Sequence, residues 1–141
     1  MDAINPEYYK AAPFMPRSLE CIDFARYMCF TLGSAFKYIW RANSKDDYKQ
    51  ELEKAKWYIN DYKTHASDCS NDGYLIVAVR ELLRPLVDIK TMTRRQIMLG
   101  LICLSPYSPR LPALLDECIL KGPAYIDEEI RLDDDLLSDL N

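Results

Sequence analysis

The sequence predicts an all-α fold: a compact bundle of five or six helices with an extended N-terminal arm and an acidic C-terminal tail. Three observations predict it. Only four of the 141 residues are Gly, too few for a loop-rich scaffold. Apolar residues recur at steps of three and four through the long stretches, the period of a helix face. Helix start and stop signals bracket those stretches, with Ser, Thr or Asp ahead of them and Gly or Pro behind.

Residues 1–17 hold Pro6, Pro13 and Pro16 and read as the extended arm. Ser18 is a suitable N-cap for the helix that follows, and Glu20 in its first turn suits the helix dipole. Leu19, Ile22, Ala25, Cys29 and Leu32 give that helix a buried face. Gly33 is expected to break or bend it, with a second helix over 34–42. Ser44 and Asp47 form an S-x-x-D capping arrangement. The long helix that it opens, over about 45–65, turns Tyr48, Leu52, Ala55, Ile59 and Tyr62 inward. The loop "ASDCSND" (66–72) separates two halves.

The stretch "GYLIVAVRELLRPLVDI" opens with six apolar residues that would also suit a buried strand. Leu75, Val79, Leu82 and Leu83 keep helical spacing, so a helix is expected, ended or kinked at Pro85. Thr93 and Gln96 form a capping box for a helix to about residue 104. "PALLDECILKGP" is a short helix closed by Lys121, Gly122 and Pro123. The organisation is then a helical region over 1–65, a second helical region over 72–126 packed on it, and the acidic tail 127–141.

The totals exclude several classes of function. The chain is 49% hydrophobic and 28% charged, ordinary for a soluble domain. No segment has the roughly 18 consecutive apolar residues of a membrane span, and "MDAINPEYYK" lacks a signal-peptide apolar region. Five cysteines without a C-x-x-C pair read as reduced thiols of a cytosolic protein. The lone His65, in a polar stretch, argues against a zinc site and a His-based triad. The net charge is −4, but the tail alone carries seven acids and one Arg, so the other 126 residues carry +2. A body so close to neutral argues against general nucleic-acid binding. Neither G-x-x-x-x-G-K-[ST] nor G-x-G-x-x-G is present, which sets aside P-loop kinase and Rossmann chemistry.

The chemistry concentrates in "FTLGSAFKYIWRA" (30–42). Gly33, Lys37 and Arg41 fall four apart, along one helix stripe. Lys45 lies just past the helix end, and Lys54 and Lys56 on the next helix would join them if the two helices pack antiparallel. Such a cation cluster suits phosphate, for which Arg offers a planar fork and Lys a point charge. Gly33 would let a ligand approach the backbone. Tyr8 and Lys10 of the arm would add a stacking ring and a further cation. The aromatic residues Tyr38, Trp40, Trp57 and Tyr58 read as core. A second feature is "ECID", with Glu20 and Asp23 one turn apart; with Glu51 from the long helix they would hold Mg²⁺, the expected cofactor.

These elements come in a recognisable order. Asn5, Pro6, Tyr8 or Tyr9, and Lys10 are followed by Glu20 and Asp23. Phe30, Leu32, Gly33, Ala35, Lys37, Tyr38, Ile39, Arg41 and Ala42 come next, then Lys45, Glu51, Leu52, Lys54, Ala55, Trp57 and Tyr58. Over about residues 4–62 this order resembles a small domain-of-unknown-function family of tailed bacteriophages that includes nucleotide kinase-like proteins lacking a P-loop. The linker "NSKDDYK" departs from that pattern, and residues 63–141 have no counterpart in it.

The resemblance implies a phage protein of the host cytoplasm that binds nucleotides, as a non-canonical nucleotide kinase or a phosphohydrolase. Lys37, Arg41, Lys45 and Lys54 would hold phosphates; Glu20, Asp23 and Glu51 would hold the metal or act as base. The alternative is a non-enzymatic interaction protein that inhibits a host defence or host enzyme, or sequesters a signalling nucleotide. For that reading the tail "IRLDDDLLSDL" would be a disordered acidic-hydrophobic segment that folds onto a host protein. The aromatic-rich N-terminal helices also suit a homo-oligomer.

Overall fold

Two helices carry the N-terminal half because a short turn lets their apolar faces meet. α2 (Phe30–Arg41) buries Leu32, Ala35, Phe36, Ile39 and Trp40, and α3 (Tyr48–His65) buries Tyr48, Leu52, Ala55 and Ile59. Asn43, at φ 75°, turns the chain between them. The computed structural model describes residues 6–10, 19–44, 47–65 and 73–141. Within these, a 3-10 turn (Glu7–Tyr9) and α1 (Cys21–Ala25) precede α2 and pack on it.

α4 (Gly73–Ile89), β1 (Thr91–Thr93), α5 (Arg94–Leu104), α6 (Arg110–Lys121), α7 (Pro123–Ile126), β2 (Glu129–Arg131) and α8 (Asp134–Asp139) follow α3. The fold is all-α, and among the described residues five helices have eleven residues or more. α5 is its central element: Ile97, Met98, Leu99, Leu101, Ile102 and Cys103 are all buried. It is close-packed enough that a Cβ at Gly100 would come 2.9 Å from the side chains of Leu83 and Leu140.

Several local expectations hold. Thr93 and Gln96 form the capping box of α5. Gly122, at φ 98°, ends α6, and Pro123 opens α7. The apolar run at 73–89 is helical. Others do not. Gly33 does not break the chain, and α2 runs through it because Leu32 and Phe36 on either side are anchored in the core. Pro85 lies inside α4 without ending it. Pro85 and Glu81 are both exposed, so the carbonyl that loses its helical partner can turn to water. Asp47, and not Ser44, caps α3: its carboxylate accepts from the Gln50 N–H at 2.9 Å. The loop 66–72 and most of the N-terminal arm lie outside the described residues.

The acidic tail is the largest departure. Residues 127–141 complete the fold. β2 pairs antiparallel with β1, Met92 opposite Ile130. Leu132, Leu136 and Leu140 are buried. Four of the seven acids that suggested disorder are partnered within the chain. Asp127 meets Arg95 at 2.8 Å and Glu128 meets Arg94 at 3.3 Å. Asp133 caps α8 and meets Arg110 at 2.6 Å, and Asp139 accepts from Ser108 at 2.6 Å. A leucine every fourth residue supplied the apolar surface that a disordered tail lacks.

Arg95 joins the halves. It stands in the first turn of α5, its side chain only 4% exposed. Its guanidinium donates to the carbonyls of Ile39 (2.6 Å), Trp40 (3.0 Å) and Ala42 (3.0 Å) at the end of α2, and to both oxygens of Asp127 (2.8 and 3.0 Å). Helix ends leave their last carbonyls without internal partners and carry partial negative charge. Arg95 satisfies both needs.

One thiol departs from the expected reduced state, and three keep it. Cys29 is disulfide-bonded. Cys21, Cys103 and Cys118 are free and buried. Burial pushes the Cys21 and Cys118 thiols up to about 12, and raises Cys103 as well. Among the described residues no helix is long and apolar enough to cross a membrane.

Two predictions follow from this packing. Arg95→Ala should lower the unfolding free energy by about 3–5 kcal/mol, read by urea denaturation, because it strands buried carbonyls and removes one partner of an ion pair; Asp127→Asn should cost less, since Asp127 is about half exposed. Maleimide at pH 8 should leave Cys21, Cys103 and Cys118 unlabelled in the native chain and label all three in urea, read by mass spectrometry.

Candidate functional site

The α2–α3 hairpin brings the predicted cations together around one tyrosine. Tyr38, half-buried on α2, has Arg41 Cζ at 4.7 Å, Lys54 Nζ at 5.3 Å and Lys37 Nζ at 5.5 Å from its ring centre. The spacing explains this. Lys37 and Arg41 are four apart on α2, and the antiparallel return of α3 sets Lys54 opposite them.

Arg41 is not an open cation. It is 7% exposed and Glu51, in the first turn of α3, is fully buried. The two form a fork: Nε to Oε2 at 2.5 Å and Nη2 to Oε1 at 3.2 Å. The remaining Nη1 donates to the Tyr9 hydroxyl at 2.6 Å. The Tyr8 and Tyr9 rings stand 5.7 and 5.6 Å from the guanidinium carbon. Burial raises the Tyr9 hydroxyl above its ordinary range although Arg41 pulls it the other way, so the phenol stays neutral. Arg41 is thus a structural residue, at the helix C-terminus where a cation is favoured, and Glu51 at the N-terminus where an anion is favoured.

Lys54 reaches Glu51 Oε1 at 3.5 Å but keeps 39% of its side chain in solvent. Lys37 is half-buried. Arg41 and Lys54 therefore share one carboxylate, and Lys37 stands over the same ring. Aromatic faces attract cations without cancelling their charge, so among the described residues the group around Tyr38 has three cations against one carboxylate, a surplus of two positive charges.

The other expected site residues go elsewhere. Lys10 pairs with Glu7 at 3.1 Å. Gly33 packs on α1, its missing Cβ 3.6 Å from Ala25 O and from Met28 Cβ, so it is not a gap for a ligand. Lys56 meets Asp116 of α6 at 2.7 Å. Lys45 lies outside the described residues. The carboxylates do not form the expected Mg²⁺ set. Asp23 caps α1 by accepting from the Glu20 N–H at 2.7 Å and pairs with Arg26 at 3.6 Å, while Glu51 is spent on Arg41. Among the described residues no three His, Cys, Asp or Glu side chains are placed to hold a metal ion.

Of the four aromatic residues expected in the core, Tyr38 and Tyr58 pack against it half-buried and Trp57 does not belong to it. Trp40 is core, but Trp57 is 63% exposed and Phe30 76% exposed. Both touch Tyr58, which stacks on Tyr38. The signal was available: 30, 37 and 38 share a face of α2, and 54, 57 and 58 a face of α3.

Comparison with known proteins fits this segment. Residues 6–60 match a family described as a protein of unknown function (DUF3310). The match contains every residue of the Tyr38 cluster and leaves α4 onward uncovered. No curated protein and no solved structure matches the chain.

Removing one partner of the buried fork should cost more than removing both. Glu51→Ala should destabilise by about 3–5 kcal/mol, and the pair Arg41→Met with Glu51→Met should regain most of it. Thermal and urea unfolding of the three chains checks this.

Proposed function

We propose that this chain binds a nucleotide, with the ligand's phosphates held by Lys37 and Lys54 on the α2–α3 face. The observation that carries the reading is the charge surplus at Tyr38: three cations, one carboxylate, with Lys54 open to solvent. An anion beside two ammonium groups gains from both, and Lys binds phosphate as a point charge. Arg41 and Glu51 belong to the frame that spaces these lysines.

The resemblance of residues 4–62 to phage nucleotide kinase-like proteins supports a nucleotide over other anions, and with it a phage protein acting in the host cytoplasm. Binding is the better-supported activity. Phosphoryl transfer or hydrolysis needs groups that neutralise developing charge and orient a nucleophile, and Glu20, Asp23 and Glu51 are committed to a cap and a buried ion pair. Retention of a nucleotide without turnover fits such a site.

Nucleoside mono-, di- and triphosphates with Mg²⁺ should raise the melting temperature by several degrees. At about a hundredfold excess over Kd the stabilisation is about 2.7 kcal/mol. Lys37→Ala with Lys54→Ala should abolish the shift. A panel that leaves the melting point unmoved, or a shift that the double variant keeps, ends the reading.

A further inference from the structure

We infer that the exposed aromatic ladder beside the lysines is a base-stacking subsite, so that the ligand is held by its base as well as its phosphates. This rests on the nucleotide reading and adds its second half.

Phe30 and Trp57 are large rings left mostly in solvent, 76% and 63% exposed. They are not scattered singly, as exposed apolar residues usually are. Each meets Tyr58 edge-on, Phe30 at 5.8 Å and 81°, Trp57 at 5.1 Å and 87°. Tyr58 in turn stacks on Tyr38 at 5.9 Å and 16°. The ladder therefore runs without interruption from two open rings to the ring that carries the cations.

Its two ends suit two different chemistries. At Tyr38, Lys37 and Lys54 offer positive charge; at Phe30 and Trp57 the surface offers apolar π-faces and edges. Phe30 lies seven residues before Lys37 on the same helix, about 10 Å by helix rise. A planar heterocycle joined through a sugar to phosphate presents an aromatic face at one end and negative charge at the other. That charge complementarity selects a nucleotide over an apolar peptide, which would leave the lysines without a counter-charge, and over inorganic phosphate, which would leave the rings bare. Every base has a π-face, and stacking tolerates all of them. Phe30 has no polar side-chain atom and Trp57 only an indole N–H donor. The subsite is accordingly a reader of aromaticity, with weak preference among bases.

The test titrates the full chain with AMP, GMP, CMP, pyrophosphate and a short single-stranded oligonucleotide, by calorimetry and tryptophan emission. Trp57 is the exposed one of the two tryptophans, Trp40 being buried. Nucleotides should change Trp57 emission and pyrophosphate should not. Phe30→Ala and Trp57→Ala, at exposed positions, should keep the wild-type melting temperature. Each should weaken nucleotide binding by on the order of tenfold or more while leaving pyrophosphate binding unchanged. Nucleotide binding that Lys37→Ala/Lys54→Ala removes but Phe30→Ala and Trp57→Ala leave intact overturns the stacking subsite alone. Absence of any binding by the wild-type chain overturns the nucleotide reading and this one with it. An oligonucleotide bound far more tightly than any mononucleotide overturns it in favour of a strand running along the ladder.

Discussion

One guanidinium holds this structure together. Arg95 gathers three carbonyls from the end of α2 and is held by the carboxylate of Asp127. α2 ends in partial negative charge, α5 begins with a cation, and the segment after α7 supplies the anion that fixes it. Arg fits the task because its planar fork can donate in several directions at once, which a Lys ammonium cannot match in fixed geometry. With the last turn of α2 tied to α5, the direction in which Arg41 leaves that turn is set, and with it the meeting of Arg41 and Glu51.

That second ion pair places charge without supplying a free cation. Glu51 is fully buried and Arg41 nearly so, and a buried pair seldom adds net stability over an apolar one of similar size. What it does is specify register. The fork closes in one alignment of α2 against α3, and in that alignment Tyr38 comes against Tyr58 while Lys37 and Lys54 converge on the Tyr38 ring. The charged frame lies inside and the chemically open groups lie on its outer side. Removing a lysine should therefore leave the hairpin standing, whereas removing Glu51 disturbs everything above it.

Local signals were the legible part of the sequence. The Thr93–Gln96 box, the Gly122–Pro123 stop and the helical spacing of 73–89 depend on residues within one turn of each other, so a reading of neighbours finds them. The meeting of Lys37, Arg41 and Lys54 was also legible, since it needs only two periodic helices and a short turn. What sequence could not reveal depends on distant partners. Arg95 in "TMTRRQ" looks like any cation at a helix start, and nothing near it announces the α2 carbonyls more than fifty residues earlier. Arg41 and Glu51 are ten apart and appeared as members of two separate sites, one for phosphate and one for metal; they answer each other. The tail's acids suggested disorder because their counter-charges, Arg94, Arg95 and Arg110, lie upstream of it.

The family match ends at residue 60, but the fold does not. The Tyr38 cluster is made entirely from matched residues, yet α2 is capped by Arg95 of α5, and the Tyr48 hydroxyl donates to the Cys118 carbonyl of α6 at 2.7 Å. α3 also lies against α6 through the Lys56–Asp116 pair. Residues 6–60 thus supply the site's side chains, and the remaining helices supply the walls and caps that hold them.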